Sequence, residues 1–309
     1  MSDPVVPDPT DAASEPDSVS APDDRPWTLE RICDERPDLA PLANLHRLLA
    51  ETAERVVAGE GAASFHPRHT GAPATHWVLG NALFDGCDQR SLLVPLITLF
   101  GALARTLQNA FPEVGPAVEE LRTAVSADDF PWADRIAKFR DPIPGDVMPH
   151  PALFRFLLLR ALATPLAHLA RATSPPHADR WIRAACPYCG FPPVAQVARP
   201  GSSRHLLCVL CGGGWTWAEP GCVGCGSALS GEWRVVANRD LGPASLESCG
   251  TCGTTLKVFP PLLVEARSSG ACEPIVALEI LTVGLDLLAR EQEGIQREQA
   301  PLGAVFPPP

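Results

Sequence analysis

Lysine is nearly missing from this chain of 309 residues: only Lys138 and Lys257 stand beside 23 arginines, and 36 acidic residues bring the net charge to −11. A surface this acidic is poorly suited to tracking a phosphate backbone, so nucleic acid is not an expected partner. Long apolar runs are missing too. The longest, Leu92 to Ala104, is about 13 residues against the roughly 20 that a helix needs to cross a bilayer. The stretch behind Pro151 is interrupted by Arg155 and Arg160, so no membrane insertion is expected. No cationic start followed by an apolar stretch marks a secretory signal. That points to the reducing cytoplasm, where paired cysteines mean metal or redox chemistry more often than structural disulfides. A Gly-Lys-Ser/Thr phosphate loop, a nucleophile elbow and a paired-carboxylate site are absent as well, and with them the usual signs of an enzyme.

What is present falls into zones. Residues 1–26 hold seven acids, one arginine (Arg25) and six prolines, a net of −6 that leaves −5 for the rest. With so few large apolar side chains this stretch cannot offset its ordering entropy, and a disordered acidic tail is expected. From residue 38 to about 173 the apolar spacing is helical. Leu42, Leu45, Leu48, Leu49, Ala53, Val56 and Val57 define one face. A second helix is expected from Ser91 towards Phe111, with Pro95 tolerable in its first turn, and a third over Ala152–Ala172, which Pro165 should kink or split. Shorter candidates are Val118–Val125 and Trp132–Phe139.

Near Trp181 the texture changes to Gly, Cys and short β-like runs: Val194–Val197, His205–Leu207, Trp233–Val236 and Leu256–Phe259. After Gly270 it reverts, with a helix expected from Glu273-Pro274 to a cap at Gly294. The reading is therefore an α+β multi-domain chain. An α-helical domain over 27–180 is followed by two small metal-binding lobes at 181–218 and 219–267, each rubredoxin-like or zinc-ribbon in type with four cysteine ligands. A C-terminal helix at 268–295 and a tail at 296–309 complete it.

Four Cys-x-x-Cys pairs, each followed by Gly, carry the chemistry: Cys186/Cys189, Cys208/Cys211, Cys222/Cys225 and Cys249/Cys252. Two residues between cysteines let both sulfurs of one tight turn face a single ion. The following Gly can adopt the left-handed conformation that aims a backbone N–H at a thiolate. Two such turns complete a tetrahedral shell of four sulfurs, which suits Zn²⁺ or iron. Pairing neighbouring turns leaves 18 and 23 residues between partners, whereas interleaved pairing leaves about 32 in the first site, so sequential pairing is favoured. Each lobe is so small that its ion should contribute to the folding free energy. Dithiol exchange of the thioredoxin kind fits less well, since that motif works as one exposed pair in a βαβ unit.

Other residues carry weaker signals. Cys33, Cys87 and Cys272 read as small buried apolar groups, and His66 and His69 as part of a solvated loop. Arg204 and His205, beside the second turn, either stabilise thiolate charge or sit on the surface. Trp215, Trp217 and Trp233 either cover the small cores or anchor a partner.

The motif series from Trp181 through Cys189-Gly190 to Pro193, then Arg204-His205-Leu206-Leu207-Cys208 with Cys211 and Trp215, then Glu247-Ser248-Cys249 with Cys252-Gly253 and Leu256-Lys257, and finally Glu291-Gln292-Glu293-Gly294, resembles the bacterial formate dehydrogenase accessory proteins of the FdhE family over about residues 150–294. The resemblance implies a cytoplasmic, non-enzymatic factor needed for formate dehydrogenase to become active, acting on its catalytic, molybdenum-containing subunit. It implies two metal ions held by the eight cysteines, iron being the family's metal and zinc the alternative. Two other readings stay open: a rubredoxin-like electron carrier, and a zinc-ribbon interaction module with another client.

Overall fold

Thr28 starts the described chain's first helix by accepting a hydrogen bond on Oγ1 from the Arg31 N–H (3.1 Å), which satisfies one of the donors a helix start leaves bare. The computed structural model describes residues 27–67, 71–145, 148–197, 204–219, 221–227, 233–237, 244–260 and 273–287. The acidic leader, His69, Cys272, the end of the C-terminal helix towards Gly294 and the tail after it lie outside the described residues, as does the Trp233 side chain.

The helical part comprises α1 (Leu29–Glu35), α2 (Ala40–Glu60), α3 (Pro73–Val78), α4 (Leu93–Ala110), α5 (Gly115–Val125), α6 (Trp132–Ala137) and α7 (Pro151–Ala172), with short 3-10 turns between them. Pro95 lies in the first turn of α4, where its missing N–H costs nothing. Pro165 does not split α7, which runs unbroken from Pro151 to Ala172. A mid-helix proline costs about 3 kcal/mol. Burial of Phe154, Leu157, Leu162, Leu166 and Leu169 on the same helix, at roughly 1.5–3 kcal/mol each, outweighs it.

By length and composition two helical stretches, 89–110 and 151–172, would suffice to cross a membrane, which counting uninterrupted apolar runs does not reveal. Both pack into one core, where Leu96, Leu99, Phe100 and Leu103 of α4 meet Phe154, Leu157 and Leu162 of α7. Core helices of a globular domain meet the same length and hydropathy test.

Beyond Trp181 the chain forms β1 (Ala195–Val197), β2 (Arg204–Leu207), β3 (Gly214–Trp217), β4 (Trp233–Ala237), β5 (Ser245–Cys249) and β6 (Thr255–Phe259), then α8 (Glu273–Leu281), with helical backbone resuming over 283–287. The two cysteine-rich lobes are joined into one six-stranded sheet, in the order β3-β2-β1-β6-β5-β4. The seam is the parallel pair β1–β6, with Ala195 opposite Lys257 and Val197 opposite Phe259.

Side-chain alternation along the strands divides this sheet between two cores. Leu206, Trp215, Trp217 and Leu256 join the large helical core. Leu207, Val197, Leu246 and Phe259 face a second core shared with Leu29 and Ile32 of α1 and with Ile275, Leu278 and Leu281 of α8. Lys257 points the same way and is 2% exposed, its Nζ 2.9 Å from Glu279 and 2.8 Å from Asp286. On α2 the buried stripe is Ala43, His46, Leu49 and Thr52. Thr52 shares a 2.9 Å hydrogen bond with Thr106. His46 packs edge-on against Phe156, and burial together with the nearby Arg160 guanidinium holds its pKa well below the ordinary value.

Candidate metal centres

All four cysteine bends have the same backbone. The N–H of the first cysteine donates to the carbonyl five residues on (Phe191, Gly213, Ser227, Thr254), each at 2.9 Å. The following glycine (Gly190, Gly212, Gly226, Gly253) returns its N–H to the carbonyl of the first cysteine at 2.8–2.9 Å. These glycines sit at φ of +71 to +73°, the left-handed conformation that L side chains rarely adopt. The glycine N–H therefore meets a carbonyl, not a sulfur as the sequence reading supposes. Other N–H groups reach the sulfurs, among them Gly213 to Cys211 Sγ at 3.4 Å and Gly224 to Cys222 Sγ at 3.2 Å.

Neighbouring bends combine into two clusters, Cys186/Cys189/Cys208/Cys211 and Cys222/Cys225/Cys249/Cys252, the sulfurs of each lying within 4.8 Å of one another. In both, the first cysteine of one bend faces the second of the other: Cys186–Cys211 at 3.5 Å, Cys189–Cys208 at 3.6 Å, Cys222–Cys252 at 3.6 Å and Cys225–Cys249 at 3.9 Å. A disulfide would need about 2.05 Å, whereas a tetrahedron with 2.3 Å metal–sulfur bonds has edges of about 3.8 Å. The donor set and its spacing fit a tetrahedral thiolate-bound ion, and the two clusters can hold two.

The clusters differ in setting. All four cysteines of the first are fully buried and belong to the large core. The helical part grips its first bend: the Leu83 and Phe84 N–H groups donate to the carbonyls of Pro187 (3.0 Å) and Tyr188 (2.9 Å), Trp77 Nε1 to Pro187 (3.1 Å), and Arg140 Nε to Cys189 (2.8 Å). In the second cluster Cys222 and Cys249 are buried, but Cys225 and Cys252 are exposed. Among the described residues, neither core takes in a cysteine of this cluster.

Burial and neighbouring hydrogen bonds together set the protonation of the thiols. In the first cluster burial pushes the Cys189 and Cys211 thiols well up; at Cys208 burial acts the same way, but hydrogen bonds from the three neighbouring thiols overcome it and hold that thiol down. An entering cation therefore displaces protons as it binds. In the second cluster burial raises Cys222 to about 12. At Cys252 the upward push of burial is overcome by the Thr254 hydroxyl, 3.2 Å from Sγ, and by neighbouring sulfurs, which bring it to about 7.

The remaining candidates fall elsewhere. Cys33 and Cys87 pack against the cores as small apolar groups, the Cys87 thiol raised to about 12 by burial and by Asp85. His66 is not merely solvated: its ring lies 4.5 Å from that of His168. Arg204 pairs with Glu247 at 3.6 Å. Trp215 and Trp217 are buried, so they cover the core. Arg140 and Thr254, which support the bends, carry no signal in the cysteine spacing beyond the position of Thr254 directly after a Cys-x-x-Cys-Gly.

No protein-family model matches the chain. A curated FdhE homologue from Haemophilus influenzae (strain PittGG) is 32% identical over 116 residues, covering 36% of this chain and 35% of that protein. One from Stutzerimonas stutzeri (strain A1501) is 30% identical over 191 residues, covering 60% and 57%. The crystal structure of the FdhE protein from Pseudomonas aeruginosa superposes with a TM-score of 0.53 over 86% of this chain and 87% of that one, at 19% identity. Over these segments the chain is similar to the FdhE proteins. The aligned segments span about a third to just over half the length of these curated FdhE relatives, and the FdhE crystal structure extends the likeness of fold to most of the chain.

Proposed function

We propose that this chain is a non-enzymatic maturation factor for formate dehydrogenase that works in the cytoplasm and binds the catalytic subunit of that enzyme. The reading rests on one observation above all: an FdhE-like fold that keeps both tetrahedral sets of four thiols. In it Cys186, Cys189, Cys208 and Cys211 ligate one ion, and Cys222, Cys225, Cys249 and Cys252 a second, with iron as the metal and zinc as the alternative. Shells of four sulfurs suit both. A bound ion supplies four fixed metal–sulfur bonds, which lock the bends of each half-sheet. The protein's own residues supply the rest, with Arg140 and Trp77 holding the first bend against the helices. Deleting the gene and measuring formate oxidation tests the role: loss of activity, restored by the intact gene, is expected, and unchanged activity overturns it. The exposure of Cys225 and Cys252 favours one other reading, a rubredoxin-like electron carrier. A reversible visible absorption change on reduction supports that reading, whereas a colourless protein with stoichiometric zinc removes it.

A further inference from the structure

Two clusters of identical chemistry and near-identical backbone sit in opposite surroundings. The first is sealed: its four cysteines are at 0% exposure, its residues are part of the large core, and its first bend is clamped by Trp77, Leu83, Phe84 and Arg140. No external ligand reaches that ion unless the core opens, and core opening approaches the free energy of global unfolding. The second cluster presents one edge of its tetrahedron, Cys225 and Cys252, to solvent, while Cys222 and Cys249 anchor it from below. Thiolate-bound ions exchange ligands by attack of an incoming donor, and access to the site governs that attack.

We propose that the second cluster is a metal-exchange site, which gives up and takes a soft cation directly from solution across the Cys225–Cys252 edge, while the first cluster keeps its ion for as long as the chain is folded. This rests on the reading that both clusters hold metal. In the exchange step an external thiolate or chelator forms one bond to the ion and the bond to Cys252 Sγ breaks. No electrons are transferred. The released Cys252 sulfur leaves as a thiolate, which Thr254 Oγ1, at 3.2 Å, is placed to hydrogen-bond, and then takes up a proton from water. Repetition at Cys225 and then, through the opened edge, at Cys222 and Cys249 transfers the ion to the incoming donors, each released sulfur taking up a proton from water, and the buried pair stays in place for reloading.

The test uses the full chain loaded with zinc and assayed for metal content. Two ions per chain are expected; fewer would overturn the two-centre reading itself, and this inference with it. The loaded protein is then mixed with a chromogenic zinc chelator. The expected trace has two equal phases. One ion is released at least about tenfold faster than the other, with unchanged circular dichroism, and the slow ion leaves only at the unfolding rate and speeds up with urea. Cys252→Ser should abolish the fast equivalent and leave the slow one untouched. Release of both ions at one rate from a chain carrying two, or a fast phase that survives in Cys252→Ser, overturns the proposal while leaving the two-centre reading standing.

Discussion

Lys257 Nζ lies 2.9 Å from a carboxylate oxygen of Glu279, and both side chains are only 2% exposed. Asp286 closes the group at 2.8 Å, so the C-terminal helical segment is bonded to the central strand β6 by one cation between two anions. The two carboxylates hold the buried ammonium charged, raising its pKa against the opposing effect of burial. Removing one member of such a group is far costlier than replacing all of it, because the remaining charge stays buried without compensation. Lys257→Met should destabilise the fold by about 3–5 kcal/mol, read as a lower urea midpoint. Adding Glu279→Gln and Asp286→Asn should recover part of that loss.

His46 sets a pH limit on stability. Its folded pKa is depressed by burial and by Arg160, so the unfolded chain binds the proton more readily than the folded one. The stability it contributes is complete above the unfolded pKa of about 6.5 and is lost progressively as pH falls below it, at up to about 1.4 kcal/mol per pH unit. Urea unfolding followed from pH 7.5 to 5 should show this slope, and His46→Gln should flatten it.

The cysteine-bend glycines separate backbone strain from crowding. Gly226→Ala meets no neighbour within 4 Å and carries only the cost of a left-handed φ, about 1–2 kcal/mol. At Gly190 an added Cβ would lie 2.7 Å from Arg140 Cζ, displacing the guanidinium from Cys189 O and Asp85. Gly190→Ala should therefore cost roughly 1–3 kcal/mol more than Gly226→Ala in thermal unfolding of the metal-loaded protein.

Cysteine substitutions should be equally unequal. Cys208→Ser opens a cluster that is part of the large core and should cost on the order of 3 kcal/mol or more. Cys252→Ser, on the exposed edge of the second cluster, should leave the unfolding transition of the helical part close to that of the parent. Calorimetry of both variants beside the parent chain checks this.

Periodicity and spacing make much of this legible. The positions of α2, α4 and α7, four of the six described strands and the grouping of the eight cysteines follow from local pattern, because each depends on residues a few positions apart. The polar members of a buried stripe do not. His46 and Thr52 break the apolar pattern of α2, and only the distant partners Phe156 and Thr106 explain their burial. β3 and β5 escape the local pattern for a related reason: Gly214 and the Ser245–Cys249 segment lack a β-branched run, and pairing with neighbouring strands decides their conformation. The β1–β6 seam joins residues about sixty apart, and no local signal specifies it. The different surroundings of two nearly identical cysteine sets are likewise a tertiary property, set by which bend the helices cover.

The second core has a consequence for how the chain is made. It unites α1 with α8, about 240 residues later in the chain, on the face of a sheet in which β6, which follows the other described strands in sequence, pairs with β1 at the centre. During synthesis Leu29 and Ile32 therefore wait, without their final neighbours, until Ile275 to Leu285 have left the ribosome. The α1 helix can dock on this core only once those later residues have been made, so nascent chains stalled before residue 273 should expose it to protease.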